Sequence, residues 1–150
     1  MITSRKIPLY AKLISIGNNV WMASGVSFIT HDVTHYMLNG LYPEKKYQEK
    51  IGCIRVGDNV FIGAETKILY DVNIGDNIII AAGSIVTKDL EPNGVYGGIP
   101  ARRLCSLEEY LEKRKDFHVD NAVGTHSEDI SAACEQEMWN HFYRNRGMDH

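Results

Sequence analysis

The residues best suited to acid–base chemistry stand where a regular pattern in the sequence breaks off. His31, Asp32 and His35 lie close together, at the start of a long irregular stretch that follows Thr30. Histidine takes up and releases a proton near neutral pH, so either imidazole could act as a general base. A histidine in a loop can equally be an ordinary surface residue. The residues alone do not rank His31 above His35.

A six-residue repeat on both sides of this stretch indicates the scaffold. In steps of six from residue 56, every lead position is a β-branched aliphatic residue and every fifth position is small or medium-sized. The lead residues are Val56, Ile62, Ile68, Ile74, Ile80 and Val86. This period fits neither an α-helix nor a simple amphipathic strand. A β-sandwich also has short strands, but it does not require so strict a register.

The repeat predicts coils of three short strands, with the lead residues stacked inward and about 18 residues per coil. Coils are expected over residues 16–33, 56–73 and 74–91. Gly, Asn and Asp recur at 17–19, 57–59 and 75–77, where a turn needs a positive φ or a local side-chain bond. Residues 32–53 are predicted to be an inserted loop without clear structure. Loops of this length are usually functional or disordered, and its tyrosines argue against disorder.

The C-terminal part is predicted to be helical. Capping boxes stand at Ser106–Glu109 and at residues 125–128. An apolar stripe at helical spacing follows the second box: Ile130, Ala133, Cys134, Met138 and Phe142. We therefore expect a β-helix domain over residues 1–104 and a helical extension over residues 105–150. The helices are expected to pack on the β-helix or on a neighbouring subunit.

Composition excludes several classes of function. The formal net charge of −3, with both signs interspersed, argues against a nucleic-acid-binding surface. The apolar stretches are too short to span a membrane. Cys53, Cys105 and Cys134 form no Cys-x-x-Cys pair, which argues against a disulfide framework or a zinc knuckle. The charged start is not followed by an apolar signal core, so the cytoplasm is the expected location.

These motifs resemble the hexapeptide-repeat acyltransferases, and most closely the sugar, maltose and capsular-polysaccharide O-acetyltransferases. The resemblance covers residues 13–104 and is strongest in 16–32, 56–89 and 97–103. It implies a left-handed parallel β-helix, whereas parallel crossovers are otherwise nearly always right-handed. It also implies acetyl-CoA as the acyl donor, no required metal, and a homotrimer whose active sites lie between subunits.

The resemblance also assigns roles to residues. The histidine of its Thr-His-Asp segment, His31, becomes the base that activates a sugar hydroxyl for direct attack on the thioester, with His35 as the fallback. Asn19 and Asp32 become candidate acceptor contacts, although turn geometry explains Asn19 equally well. Phe61 stands where the family often has Trp. The implied coenzyme contacts are Gly63, Ala64, Ala82, Gly83, Thr87, Lys88, Arg102 and Arg103. The small residues among them can equally serve turn packing, and the polar ones can equally form an exposed charged face.

Two other functions are weighed against acetyl transfer. The first is a β-helix scaffold that has lost activity. The second is a zinc carbonic anhydrase, which needs three histidine ligands placed across adjacent coils. Residues 56–91 contain no histidine, which argues against that enzyme. The sequence leaves open the identity of the acceptor, acetyl against a longer acyl group, and a hydroxyl against an amine.

Overall fold

The computed structural model describes residues 8–118 and 130–148, which belong to two compact units, Met1–Leu111 and Glu112–His150. The helices are α1 (Thr34–Leu41), α2 (Leu107–Arg114) and α3 (Ala132–Arg144). The strands are β1 (Ile14–Ile16), β2 (Val20–Met22), β3 (Ser27–Ile29), β4 (His31–Asp32), β5 (Lys50–Ile51), β6 (Ile54–Val56), β7 (Val60–Ile62), β8 (Lys67–Leu69), β9 (Val72–Ile74), β10 (Ile78–Ile80), β11 (Ile85–Val86), β12 (Gly94–Gly97) and β13 (Arg102–Ser106). None of the helices in the described residues is long and apolar enough to cross a membrane.

Three successive coils form the first unit. Strands β1, β2 and β3 make the first coil, β6, β7 and β8 the second, and β9, β10 and β11 the third. Equivalent strands pair in parallel, in the orders β1–β6–β9, β2–β7–β10 and β3–β8–β11. Strand β12 extends the second of these sheets and pairs antiparallel with β13. The parallel β-helix predicted from the six-residue period is confirmed.

The core is made of the lead and fifth positions of the repeat. Each of the six lead residues is at most 1% exposed: Val56, Ile62, Ile68, Ile74, Ile80 and Val86. The fifth positions are buried beside them: Val60, Thr66, Val72, Ile78, Ser84 and Leu90. Because side chains alternate between the two faces of a strand, these positions point inward and the residues between them point out. Burial of the aliphatic side chains among them is the main force that holds the coils together.

In the turns between the first and second strands of each coil, asparagine and glycine have different roles. The left-handed conformation falls on the asparagines, with φ of 53° at Asn19, 56° at Asn59 and 57° at Asn77. Their side chains form a ladder, in which Asn19 donates to Asn59 at 2.9 Å and Asn59 to Asn77 at 3.0 Å. The glycines serve close approach instead, because a Cβ at Gly57 would overlap the Asp76 carboxylate.

The stability of the protein should therefore depend on the left-handed backbone conformation of Asn59. Asn59→Ala is expected to lower the free energy of unfolding by about 1–2 kcal/mol, because alanine tolerates the left-handed region poorly. Asn59→Gly keeps that conformation accessible and loses only the side-chain ladder, so its loss should be smaller. Urea denaturation of the two variants measures the difference. An equal loss in both would show that the ladder, and not the backbone, stabilises the turn.

The insertion is more ordered than the sequence predicts. Its two ends pair as the antiparallel ladder of β4 and β5, with His31 opposite Ile51. The predicted insertion is present, and it also contains helix α1, which the sequence did not predict. The Asp32 carboxylate accepts a hydrogen bond from the Thr34 backbone N–H at 3.1 Å, a turn that starts the helix. Every residue of α1 is at least partly exposed, so burial left no periodic signal for it.

The C-terminal predictions have mixed outcomes. The first capping box is confirmed, since Ser106 N–H donates to the Glu109 carboxylate and Glu109 N–H to the Ser106 hydroxyl. The box at Thr125, His126, Ser127 and Glu128 lies outside the described residues. Helix α3 begins instead after Ser131, whose hydroxyl accepts from the Cys134 N–H.

The apolar stripe predicted on α3 is only partly buried in the single chain, and its packing on a neighbouring subunit stays a prediction. Cys134 is buried and Met138 half-buried, whereas Ile130, Ala133 and Phe142 are exposed. The ring of Phe142 meets Trp139 at a centroid distance of 5.5 Å and Tyr143 at 5.6 Å. Helical spacing predicts an apolar face, but it does not supply the surface that would bury it.

Candidate active site

His31 lies in β4, directly after the buried end of the first coil. Thr30 is buried, and its carbonyl accepts a hydrogen bond from the Gly52 N–H at 2.9 Å, which closes the base of the insertion. The half-buried His31 ring meets the Tyr10 ring edge-to-face, with centroids 5.3 Å apart. Within residues 8–118 and 130–148, its Nδ1 is shielded from solvent and has no hydrogen-bond partner. The other ring nitrogen, Nε2, is therefore the one suited to meet a substrate.

His35 lies four residues further on, in the first turn of α1. Its ring packs on that of Tyr36, with a centroid distance of 4.2 Å. Its Nδ1 is also shielded and has no hydrogen-bond partner among the described residues. The two histidines differ in the element that carries them. His31 is carried by a strand paired with the return of the insertion, and His35 by a helix whose side chains are all at least partly exposed.

Asp32 is bound on both of its oxygens. Oδ1 accepts from the Thr34 hydroxyl at 2.6 Å and from the Thr34 N–H at 3.1 Å, and Oδ2 accepts from the Tyr70 hydroxyl at 2.6 Å. The Thr34 side-chain bond, then the Tyr70 bond and the Thr34 backbone bond, lower the pKa of Asp32 to about 2, and His35 contributes further. Asp32 is therefore a fixed negative charge, and it interacts with His35. Its role as an acceptor contact stays a prediction.

The lowered pKa of Asp32 predicts a specific loss of stability in acid. Its pKa is about 2 in the folded protein and near 4 in an unfolded chain. The stabilisation is therefore present above pH of about 4 and is lost as the pH falls through about 2. The free energy of unfolding should fall more steeply in this range for the wild type than for Asp32→Asn. Parallel slopes in urea titrations at several pH values would contradict this account.

Three residues that the sequence analysis missed surround Asp32. Tyr70 and Asp71 form the corner after β8, and Lys50 lies in β5 opposite Asp32. Lys50 Nζ lies 2.7 Å from the Asp71 carboxylate and 5.4 Å from the centre of the Tyr70 ring. The hydrogen bond to Asp32 raises the pKa of the Tyr70 hydroxyl. Only the repeat register hinted at Tyr70. It follows β8, and β8 pairs with β3, so Tyr70 lies next to the corner that precedes His31.

The small residues assigned to the coenzyme lie at one corner of the β-helix. Gly63 and Ala64 follow β7, and Ala82 and Gly83 lie shortly after β10, which pairs with β7. A Cβ at Gly63 would overlap the backbone of Ala82, so close packing between the coils already requires that glycine. Gly83, with φ of 70°, would direct a Cβ into open space. The exposed Ala82–Gly83 edge is thus the accessible part of this corner.

The polar coenzyme candidates divide into two groups. Thr87 and Lys88 are exposed and follow β11, in the same sheet as β3, so they stack along the corner that carries His31. The two arginines lie instead on β13. Arg102 is exposed, whereas Arg103 donates to the carbonyl of Asn93 at 3.1 Å and lies 6.0 Å from the Tyr96 ring centre. Arg103 therefore already stabilises the terminal coil.

Asn19 lies at a different corner from Asp32, in the turn between β1 and β2. Its amide donates to Asn59 and its carbonyl accepts from the Trp21 indole at 3.0 Å. A single chain therefore does not bring the two predicted acceptor contacts together. Asn19 instead borders a shallow groove on the outer face of β2, β7 and β10, which is also lined by Trp21, Phe61 and Ile79.

No three His, Cys, Asp or Glu side chains gather to hold a metal ion in the part of the chain that the structure describes. The three cysteines are free, and Cys53 is exposed.

Comparison with known proteins identifies the family. A family model described as bacterial transferase hexapeptide (six repeats) matches residues 53–88. Protein CapG of Staphylococcus aureus is 45% identical over 101 residues, which are 67% of this chain and 57% of that protein. Galactoside O-acetyltransferase of Escherichia coli strain K12 is 36% identical over 113 residues, which are 73% and 53% of the two chains. The chain belongs to the hexapeptide-repeat transferase family.

Solved structures of this family share the fold. A galactoside acetyltransferase in complex with coenzyme A superposes with a TM-score of 0.58 and 33% identity, covering 75% of this chain and 53% of that one. A maltose O-acetyltransferase from Clostridium difficile 630 gives 0.54 and 37%, covering 62% and 48%. The predicted left-handed β-helix is confirmed. The chain spans about half the length of these curated relatives, 57% of Protein CapG and 53% of galactoside O-acetyltransferase.

Proposed function

We propose that this chain transfers an acetyl group from acetyl-CoA to a hydroxyl of a sugar or polysaccharide precursor, with His31 as the general base. The observation that carries the proposal is the corner shared by His31, Thr87 and Lys88, which follow the paired strands β3 and β11. A histidine and a cation on one edge of a rigid scaffold support the roles proposed for them. The similar galactoside acetyltransferase structure is a complex with coenzyme A, which supports that donor here.

The proposed chemistry uses Nε2 of His31, because Nδ1 is shielded from solvent. Nε2 removes the proton of the acceptor hydroxyl as its oxygen attacks the thioester carbonyl. The C–S bond then breaks, and the proton passes from the imidazolium to the coenzyme sulfur, so that an acetyl ester and the free thiol are formed. Because its pKa is about 2, Asp32 stays ionised and keeps its hydrogen bonds to Thr34 and Tyr70, which hold the strand that carries His31. A positioned base contributes about 10²–10⁴-fold to such a reaction.

The coenzyme contacts are assigned by their accessibility. The Ala82–Gly83 edge leaves room for an extended pantetheine arm, and Gly63 and Ala64 border it. Lys88 and Arg102 are exposed cations suited to the phosphates, with Thr87 as a hydroxyl donor. Arg103 contributes by holding the terminal coil.

We also propose a cytoplasmic homotrimer with active sites between subunits. Three coils make a thin core, and lateral burial would stabilise it. Trp21 and Phe61, adjacent in the β2–β7 register, are about half exposed, at 52% and 46%, and offer apolar surface for that burial. Such an assembly would let Asn19 of one subunit meet the acceptor held beside His31 of another.

An acceptor panel tests the proposed activity directly. The protein is incubated with acetyl-CoA and a set of mono- and oligosaccharides, and free thiol and acetylated product are measured together. Thiol release that depends on the acceptor, with one acetyl group found on the sugar, supports the proposal. Failure of the protein to bind acetyl-CoA in calorimetry would instead indicate an inactive scaffold.

A further inference from the structure

Among residues 8–118 and 130–148, no hydrogen bond to Nδ1 fixes the orientation of the His31 ring. In the residues that the structure describes, Nδ1 has no partner, although a catalytic imidazole is usually oriented by a group bound to its second nitrogen. The edge-to-face contact with Tyr10 restricts the His31 ring from one side only. The direction of His31 therefore depends on how firmly the backbone of β4 is held.

Strand β4 is fastened to the second coil by consecutive corner residues. Tyr70 donates its hydroxyl proton to Asp32 at 2.6 Å, and Asp71 forms an ion pair with Lys50 at 2.7 Å. Asp32 and Lys50 are opposite each other in the β4–β5 ladder. Both strands at the base of the insertion are thus tied to the turn that follows β8.

The two ties differ in strength. The side chains of Lys50 and Asp71 are 52% and 54% exposed, and an ion pair in that setting contributes little. The Tyr70–Asp32 bond is short, partly buried and charge-assisted, which is the stronger class. Neighbouring side chains point to opposite faces of a strand, so holding Asp32 on one face directs His31 to the other.

We propose that Tyr70 is a positioning residue for His31, which acts through its hydrogen bond to Asp32. Tyr70 holds β4 against the second coil and thereby aims the imidazole at the acceptor hydroxyl. It does not touch the reacting atoms. This inference rests on the proposed function, because the role of Tyr70 is defined by the catalytic work of His31.

The test is a double-mutant cycle on the full chain, with acetyl-CoA and the best acceptor from the panel. Tyr70→Phe removes one hydroxyl and should lower kcat about tenfold, because small displacements of a reacting group are costly. KM for acetyl-CoA should change less than about twofold, since the coenzyme contacts are untouched. Tyr110→Phe, which removes a hydroxyl from α2, is the matched control and should leave kcat unchanged.

The second arm of the cycle separates positioning from simple loss of stability. In an Asp32→Ala background, adding Tyr70→Phe should cause no further loss of kcat, because the group through which Tyr70 acts is gone. If the double variant loses kcat by the product of the two single losses, the positioning role alone is overturned. The same holds if the kcat of Tyr70→Phe equals that of the wild type. Absence of acetyl transfer by the wild type overturns the proposed function and this inference together. Melting temperatures confirm that each variant is folded at the assay temperature.

Discussion

His31→Ala is expected to lower kcat for acetyl transfer by about 10²–10⁴-fold, the usual contribution of a positioned general base. The acceptor hydroxyl must lose its proton as it attacks, and His31 carries the imidazole held in a paired strand at the corner shared with Thr87 and Lys88. KM for acetyl-CoA should change little, because the imidazole interacts with the reacting atoms and not with the coenzyme phosphates.

His35→Ala is the matched control for this substitution. It removes the same ring from a position four residues away, in a helix whose side chains are all at least partly exposed. We expect its kcat to stay within about threefold of the wild type, as for a change outside the chemical step. Steady-state assays of both variants, with and without acceptor, measure the contrast. A larger loss in His35→Ala than in His31→Ala would transfer the role of base to His35.

Ile80→Ala is expected to have the largest effect on stability, a loss of about 2–5 kcal/mol. Ile80 is completely buried in β10, where it pairs with Ile62 on one side and Tyr96 on the other. Truncation removes transfer free energy and leaves a cavity, because the coils above and below are fixed by their own hydrogen bonds and cannot collapse into the gap. Urea denaturation, at one protein concentration for all variants, measures the loss.

Ile79→Ala provides the control within the same strand. Ile79 faces outward and is only partly buried, so the same change in side chain should lower the free energy of unfolding by about 1 kcal/mol or less. The difference between the two variants measures the inward stacking of the lead positions. Equal losses would contradict the assignment of Ile80 to the core of the β-helix.

The sequence predicts the β-helix well because the repeated aliphatic positions are the buried positions. Each coil has the same inward positions, so the six-residue period identifies the core without knowledge of long-range contacts. The corners were predicted only as turns. The positive φ at Asn59 and the close packing at Gly57 both suit a turn, and only the stacked coils show which residue does which work.

The candidate site was predicted less completely, for a physical reason. Tyr70 and Asp32 are 38 residues apart, and they meet only because the second coil stacks under the base of the insertion. No local pattern marks such a contact. Helix α1 has no buried residue to give a period. The helical spacing of the apolar stripe predicts α3, but it does not identify the surface on which the stripe packs.

The most direct test of the account is the position of the coenzyme sulfur in a crystal structure of the complex with coenzyme A. We expect the arm to lie along the Ala82–Gly83 edge and the sulfur to lie beside Nε2 of His31 from the same or an adjacent subunit. Lys88 and Arg102 should lie near the phosphates. A sulfur next to His35, or a coenzyme bound away from both the Ala82–Gly83 edge and Lys88, would contradict this assignment.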